Sequence, residues 1–316
     1  YCNSFANLAI NKVRYGLMLR EDGIAFDDGT TARMDNMHYL MTTTTANYFS
    51  VLRHLEFCRQ CLWPNLNVYI NPVCEQYAQF SIAGPNSRKV LQKVIDAEFD
   101  ISNEAFPFMA CGNITICGGI NARLFRISFS GELAFEISVS ARYGDSLIRK
   151  LMQVGKEFQI CPYGTEALGV MRIEKGHVAG NEINGQTTAK NLGLDRMVSD
   201  KKDFIGNILY LRHHLSDVAG LHIVGVKPLS SQVMLSTGAH FLAMDAKPEI
   251  ENDEGWISSS AYSPTLESSI GLGFLKRGNE RLGDILRAVD LVNGKDIEVQ
   301  IVEQHFFDPT GIRMHG

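Results

Sequence analysis

Glu132 is the acid in this chain with the most distinctive setting. It follows Ser130-Gly131 and lies between two apolar runs, Ile127/Phe129 and Phe135/Ile137. Alternation of period two predicts a strand on each side, and Gly131 can turn sharply without Cβ cost. An acid there stands where a rigid scaffold meets a cavity or solvent. Its two oxygens could accept from a flat ligand edge that offers adjacent N–H donors. The alternative is a solvated turn acid. Asp27-Asp28 precedes Gly29 at what reads as a strand-to-turn corner. Adjacent residues of a strand point to opposite faces, so the pair is not a carboxylate dyad. One buried acid could orient or deprotonate an amine, whereas Asp-Asp-Gly is also ordinary turn chemistry. Arg172, on an otherwise apolar helix, could bind a carboxylate bidentately or simply pair with Glu174 or Glu166.

Other candidates carry less. Cys58-x-x-Cys61 falls in a helix-like run with no second pair at zinc spacing, so both read as buried or neutral thiols. His213-His214 has no further ligands at matching spacing, and no metal is expected. Gly271-Leu272-Gly273 lacks the third glycine of a dinucleotide fingerprint, and there is no Walker loop or nucleophile elbow.

The elements that must position these residues fall into three stretches. In the first, Tyr15–Leu19 reads as a strand and Tyr39-Leu40-Met41 begins another that ends in Thr42-Thr43-Thr44-Thr45, with turns at Glu21-Asp22-Gly23 and Asp27-Asp28-Gly29-Thr30. Asn47–Cys61 reads as a helix stopped by Trp63-Pro64. In the second, Gln76–Ile82 alternates as a strand, and Gly84-Pro85-Asn86 turns into a helix carrying Val90, Leu91, Val94 and Ile95. Beyond Glu132, Ala141–Phe158 is an amphipathic helix, and a second helix begins at a Thr165 cap and ends at Gly176. In the third, a short helix near Asp203–His213 precedes strands at Leu221–Val226, Trp256–Ser260, Ile270–Leu275 and Ile297–Val302, which suggest a small β-barrel or sandwich. Helix–strand alternation earlier in the chain suggests α+β units.

Bulk properties narrow the function. At 316 residues there is room for two or three domains, and 45% hydrophobic against 21% charged content is ordinary for a chain with a real core. A net charge of -5 argues against a nucleic-acid binder. No stretch approaches the roughly 18 apolar residues of a membrane span. Seven scattered cysteines do not make a disulfide framework, so a reduced, cytoplasmic setting is expected. The chain opens on Tyr1 rather than Met, which suggests a fragment of a longer polypeptide.

Taken in order, several segments resemble the folate-dependent aminomethyltransferase family, that of the glycine cleavage T-protein. They are Tyr15-Gly16-Leu17-Met18 with Asp22 to Asp28, Ser130-Gly131-Glu132 with Phe135-Glu136, and Arg172-Ile173-Glu174-Lys175-Gly176. Lys202 to Gly206 and Ser263-Pro264-Thr265-Leu266 follow in the same order. Thr42 to Thr45, Gln60 to Pro64, Glu104 to Met109, Pro162 to Ala167 and Phe307-Asp308-Pro309 resemble one branch. That branch is the C-terminal half of the α subunit of heterotetrameric sarcosine oxidase. Two departures stand out. The family's Asn-Ala-Ala-Asn is Thr44-Thr45-Ala46-Asn47 here, and the tyrosine usual four residues beyond the second Asp is Ala32.

The resemblance implies an α+β fold, a three-lobed cloverleaf with folate in the central channel. Two α+β domains, residues 1–70 (truncated at its N-terminus) and 71–208, would precede a C-terminal β-barrel or jelly-roll-like domain at 209–316. It implies that Glu132 holds the pterin edge, that Asp28 faces the reactive nitrogens while Asp27 points elsewhere, that Tyr15 lines the folate, and that Asn47 and Arg172 support it. The implied activity is capture of the methylene of a sarcosine-derived imine on tetrahydrofolate, giving 5,10-methylenetetrahydrofolate. Flavin and NAD would lie elsewhere in the complex. The partners would be a flavin subunit and the rest of the same polypeptide. A folate-dependent demethylase and a non-catalytic folate-binding or assembly module remain open as alternatives.

Overall fold

The computed structural model describes residues 1–217 and 219–316. Strands β1 (Lys12–Leu19), β2 (Ala25–Arg33) and β3 (Tyr39–Met41) form an antiparallel sheet in chain order. Helix α1 (Tyr48–Phe57) follows and continues as a π-helical turn over Cys58–Leu62, so the expected helix is one rod that widens before Trp63-Pro64 stops it. Asp27-Asp28-Gly29-Thr30 is not a turn. It lies inside β2, where pairing to β1 and to the chain beyond β3 satisfies the backbone on both sides and overrides the local turn preference.

A second sheet takes the order β4-β7-β6-β5, from β4 (Tyr77–Ala83), β5 (Cys111–Ile116), β6 (Ile120–Phe125) and β7 (Ala134–Ser140). Helices α2 (Ser87–Gln92) and α3 (Gly144–Val154) cover it. Their apolar faces meet Leu124, Phe135, Ile137 and Val139 in one core. Single 3-10 turns flank α3, so the expected long helix at 141–158 is three short segments. The tight hairpin expected around Glu132 is wider than its sequence suggests. β6 ends at Phe125, and residues 126–133 form a loop. The Arg126 amide bonds to the Ala110 carbonyl and its own carbonyl accepts from Met109, which draws this segment away from β7.

Helix α4 (Thr165–Lys175) ends at Gly176, whose φ of 77° is the left-handed cap conformation that glycine favours. Thr165 does not cap it: Gly164 is the N-cap residue and no side chain bonds there. The helix expected near 203–213 is two separate turns, Asn207–Tyr210 and His213–Ser216.

The third unit is a closed barrel, which excludes the sandwich alternative. Its strands are β8 (Leu221–Pro228), β9 (His240–Leu242), β10 (Gly255–Ser263), β11 (Ser268–Lys276), β12 (Ile285–Asp290) and β13 (Lys295–Val302). They close in the order β10-β11-β8-β13-β12-β9, leaving no free sheet edge. Val226, Phe241, Ile257, Val299 and Ile301 fill one core. A separate apolar cluster joins the units: Leu17 and Leu19 of β1 pack with Ile173 of α4 and with Ile270, Leu272 and Phe274 of β11. Among the described residues no helix is long and apolar enough to cross a membrane.

Candidate functional site

The β1–β2 register places Leu17 opposite Asp28 and Tyr15 opposite Thr30, so Tyr15 and Asp28 are diagonal neighbours on one face. The Tyr15 hydroxyl donates to Asp28 Oδ2 at 2.7 Å. The Thr44 hydroxyl donates to Asp28 Oδ1 at 3.3 Å. Burial pushes the Asp28 carboxyl above the usual carboxylate range, and the two hydroxyl donors oppose that shift. Burial and the neighbouring Asp28 charge also push the Tyr15 phenol far up, so it remains a donor throughout the working pH range.

Asp27 is only 3% exposed and faces different partners. Its Oδ2 accepts from the Thr44 amide at 3.2 Å, and its Oδ1 accepts from Asn47 Nδ2 at 3.3 Å. Asn47 also donates to the Phe26 carbonyl at 2.8 Å. Asn47 therefore stands against Asp27 rather than Asp28. Burial raises the Asp27 carboxyl as well. The crossing that brings Thr44 here depends on Gly29, since a Cβ at that position would meet the Thr42 carbonyl oxygen at 2.1 Å.

Glu132 lies on the 126–133 loop. Gly131 precedes it with a φ of 83°, and the Lys175 side chain lies 2.9 Å from where a Cβ would project. Glu132 Oε1 accepts from Arg313 at 2.5 Å, and the carboxylate keeps 21% of its side-chain exposure. Both residues line a cavity of about 310 Å³ with Met171, Glu174, Thr265 and Phe307 among its walls. The C-terminal segment that supplies Arg313 is pinned by buried charges. Lys175 pairs with Asp308, and Arg126 donates to the Phe106 and His315 carbonyls. Beside the loop, His177 Nδ1 meets the Phe129 carbonyl at 3.0 Å. A carbonyl only accepts, so Nδ1 carries the proton, and burial holds this imidazole below its ordinary pKa.

Arg172 belongs to a different place. Its guanidinium donates to Glu182 at 2.8 Å and to the Ser259 hydroxyl at 2.6 Å. Glu182, wholly buried, also accepts from Ser258 and Ser259 at 2.6 Å and from the Ala179 amide at 2.9 Å. This network ties α4 to barrel strand β10. Neither Glu174 nor Glu166 is the partner. Gly176 turns the chain back so that Glu182 reaches Arg172, while Glu174 accepts from Ser263.

The structure thus brings Tyr15 and Asp28 together, sets Asn47 on Asp27, and leaves Glu132 and Arg172 in separate settings. Sequence reasoning missed Thr44 and Arg313. The only local signal for Arg313 was Asp308 just upstream, whose carboxylate caps the amides of Ile312 and Arg313. Among the described residues no His, Cys, Asp and Glu group is arranged to hold a metal ion.

Two mixed helix–sheet units ahead of a closed antiparallel barrel define the aminomethyltransferase T class of fold. The chain is similar over 96% of its length to the glycine cleavage system aminomethyltransferase T of Bartonella henselae, with a TM-score of 0.78, 21% identity and 78% of that chain covered. The GCVT N-terminal domain family matches residues 1–202, and the glycine cleavage T-protein C-terminal barrel domain matches residues 222–308. The chain belongs to the glycine cleavage T-protein family. It is 46% identical over its whole length to the sarcosine oxidase subunit alpha of Rhizobium meliloti and 39% identical to that of Corynebacterium sp. strain U-96. It covers 32% and 33% of those subunits, so it spans about a third of their length rather than the half its motifs suggested. An aminomethyltransferase of Thermoanaerobacter sp. is 27% identical over 96% of the chain and is itself 78% covered.

Proposed function

We propose that this chain is a tetrahydrofolate-binding aminomethyltransferase domain that captures the one-carbon unit of a sarcosine-derived imine. Family membership and similarity to sarcosine oxidase alpha subunits support the reaction class. The observation that carries the site is the Tyr15–Asp28 hydrogen bond, which fixes one half-buried carboxylate on the β1–β2 sheet.

Tetrahydrofolate supplies the acceptor nitrogens. The residues suit it: Glu132 Oε2 has no hydrogen-bond partner among the described residues, and Met171 and Phe307 offer apolar surface in the same cavity. Glu132 would accept from the ring N–H edge. Asp28 would orient the amine nucleophile and take its proton as the new bond forms. The two protons displaced from the acceptor nitrogens end on the departing glycine nitrogen, so the step needs no further reactant. Holding the two reactants together supplies most of the acceleration, and enclosure protects the imine from hydrolysis. Oxidation of sarcosine, with its flavin, would fall to a partner subunit, and NAD to the remainder of a longer polypeptide.

The test supplies tetrahydrofolate with glycine and formaldehyde, which form the imine in solution, and follows the folate product above the uncatalysed background. Methylenetetrahydrofolate formed by the wild type and lost in Asp28→Asn, with folate binding retained, is expected. Transfer at the wild-type rate in that variant removes Asp28 as the functional acid. A methyl rather than methylene product from a methylated donor favours a demethylase, and binding without turnover favours a non-catalytic module.

A further inference from the structure

β3 stops at Met41, but the chain stays beside β2: the Thr42 amide donates to the Thr30 carbonyl at 2.8 Å, and the Thr30 amide donates to Thr42 Oγ1 at 2.9 Å. Gly29 leaves room for this path. Asp27 and Asp28 point to opposite faces of the strand, as neighbours must. Thr44 reaches both of them from just beyond the end of β3. Its amide holds Asp27 Oδ2 at 3.2 Å and its hydroxyl holds Asp28 Oδ1 at 3.3 Å. Asn47 closes the same turn onto Asp27, and its amide donates to the Thr44 carbonyl at 2.9 Å.

We propose that Thr44 is a positioning residue, whose backbone fixes Asp27 and whose hydroxyl fixes Asp28, so that one short turn aims both acids. This rests on the reading of Asp28 as the functional acid. Asp27 anchors the turn, and the turn then holds Asp28 through the one Thr44 group that a substitution can remove.

Among the described residues no lysine or arginine acts on Asp28. The titratable groups near it are Tyr15 from β1, Tyr1 from the N-terminal segment and, on the opposite face of its own strand, Asp27. None of these supplies a positive charge, so hydroxyl donors are what favour its ionised form against burial. Loss of the Thr44 hydroxyl removes one of the two. Thr44→Val keeps the β-branched shape and the backbone amide that holds Asp27 Oδ2, and it removes the hydroxyl that favours the ionised form of both acids. Thr44→Ser keeps the hydroxyl.

The experiment measures the Asp28 carboxyl pKa by carbon-13 NMR in wild type, Thr44→Val and Thr44→Ser, together with the pH profile of methylene transfer. The Asp28 resonance is assigned by its loss in Asp28→Asn. In Thr44→Val the carboxyl pKa and the acid limb of the profile are expected to move up together by about half a unit to one unit. Thr44→Ser is expected to restore both. An unchanged Asp28 pKa in a folded Thr44→Val protein overturns the inference, as does a shift that Thr44→Ser fails to restore. If Asp28→Asn transfers normally, the functional reading of Asp28 fails. The NMR shift still decides whether Thr44 holds that carboxylate.

Discussion

The pair of acids in β2 is where residue-level physics decides most. Burial raises both carboxyls, so their charged forms are disfavoured in the folded state relative to the unfolded chain. The folded state holds protons that the unfolded state has already released, so this contribution to stability is full at acid pH. It declines as pH rises from the ordinary carboxylate value of about 3.9 through the raised folded value. Asn at position 28 still accepts from Tyr15 but carries no charge. Denaturant melts across pH 4 to 7 should therefore show Asp28→Asn gaining on the wild type as pH rises; a difference that does not vary with pH contradicts a raised Asp28. Asp27→Asn should slow transfer less than Asp28→Asn. Asp27→Ala should instead cost stability of about 1–3 kcal/mol, because it leaves the Thr44 amide without its acceptor. The reverse ranking in transfer rate would move the functional role to Asp27.

The elements show why some of this was legible and some was not. Barrel strand Ile297–Val302 declares itself because one face is buried and the other is not, and Ile270–Leu275 because it is a short, mostly apolar run buried on both faces. Strand β9, three residues long, has too few positions to show a period. Asp27-Asp28-Gly29 reads as a turn because its local chemistry is that of a turn, and only pairing on both edges makes it a strand. The acidic residue behind Ser130-Gly131 and the helix stop at Gly176 were readable from residue type alone. The partners of Arg172 and Glu132 were not, since Glu182 and Arg313 reach them through a chain reversal and a docked C-terminal segment. The Arg172–Glu182–Ser259 network makes an element-scale prediction. Glu182→Ala leaves a guanidinium buried without its counter-charge, and should lower stability by about 3–5 kcal/mol. A drop in the urea midpoint with an unchanged slope is the expected outcome. A loss below about 1 kcal/mol would show that the pair is not holding α4 to the barrel.

At the scale of the molecule, the cluster shared by β1, α4 and β11 makes the first sheet and the barrel one stability unit. Leu17→Ala and Leu272→Ala, one on each side of that junction, should each cost about 2–5 kcal/mol and shift a single unfolding transition. Two transitions, only one of which moves, would mean that the units fold independently. Coupling of this kind fixes the sheet that carries Asp28 against α4 and the barrel. Whether the protein takes tetrahydrofolate through Glu132 is decided by calorimetric titration under anaerobic conditions. Saturable binding by the wild type is expected, weakened in Glu132→Ala by about 1–3 kcal/mol, the worth of a hydrogen bond to a charged group. No binding by a folded wild-type protein, or equal binding by wild type and Glu132→Ala, would contradict it.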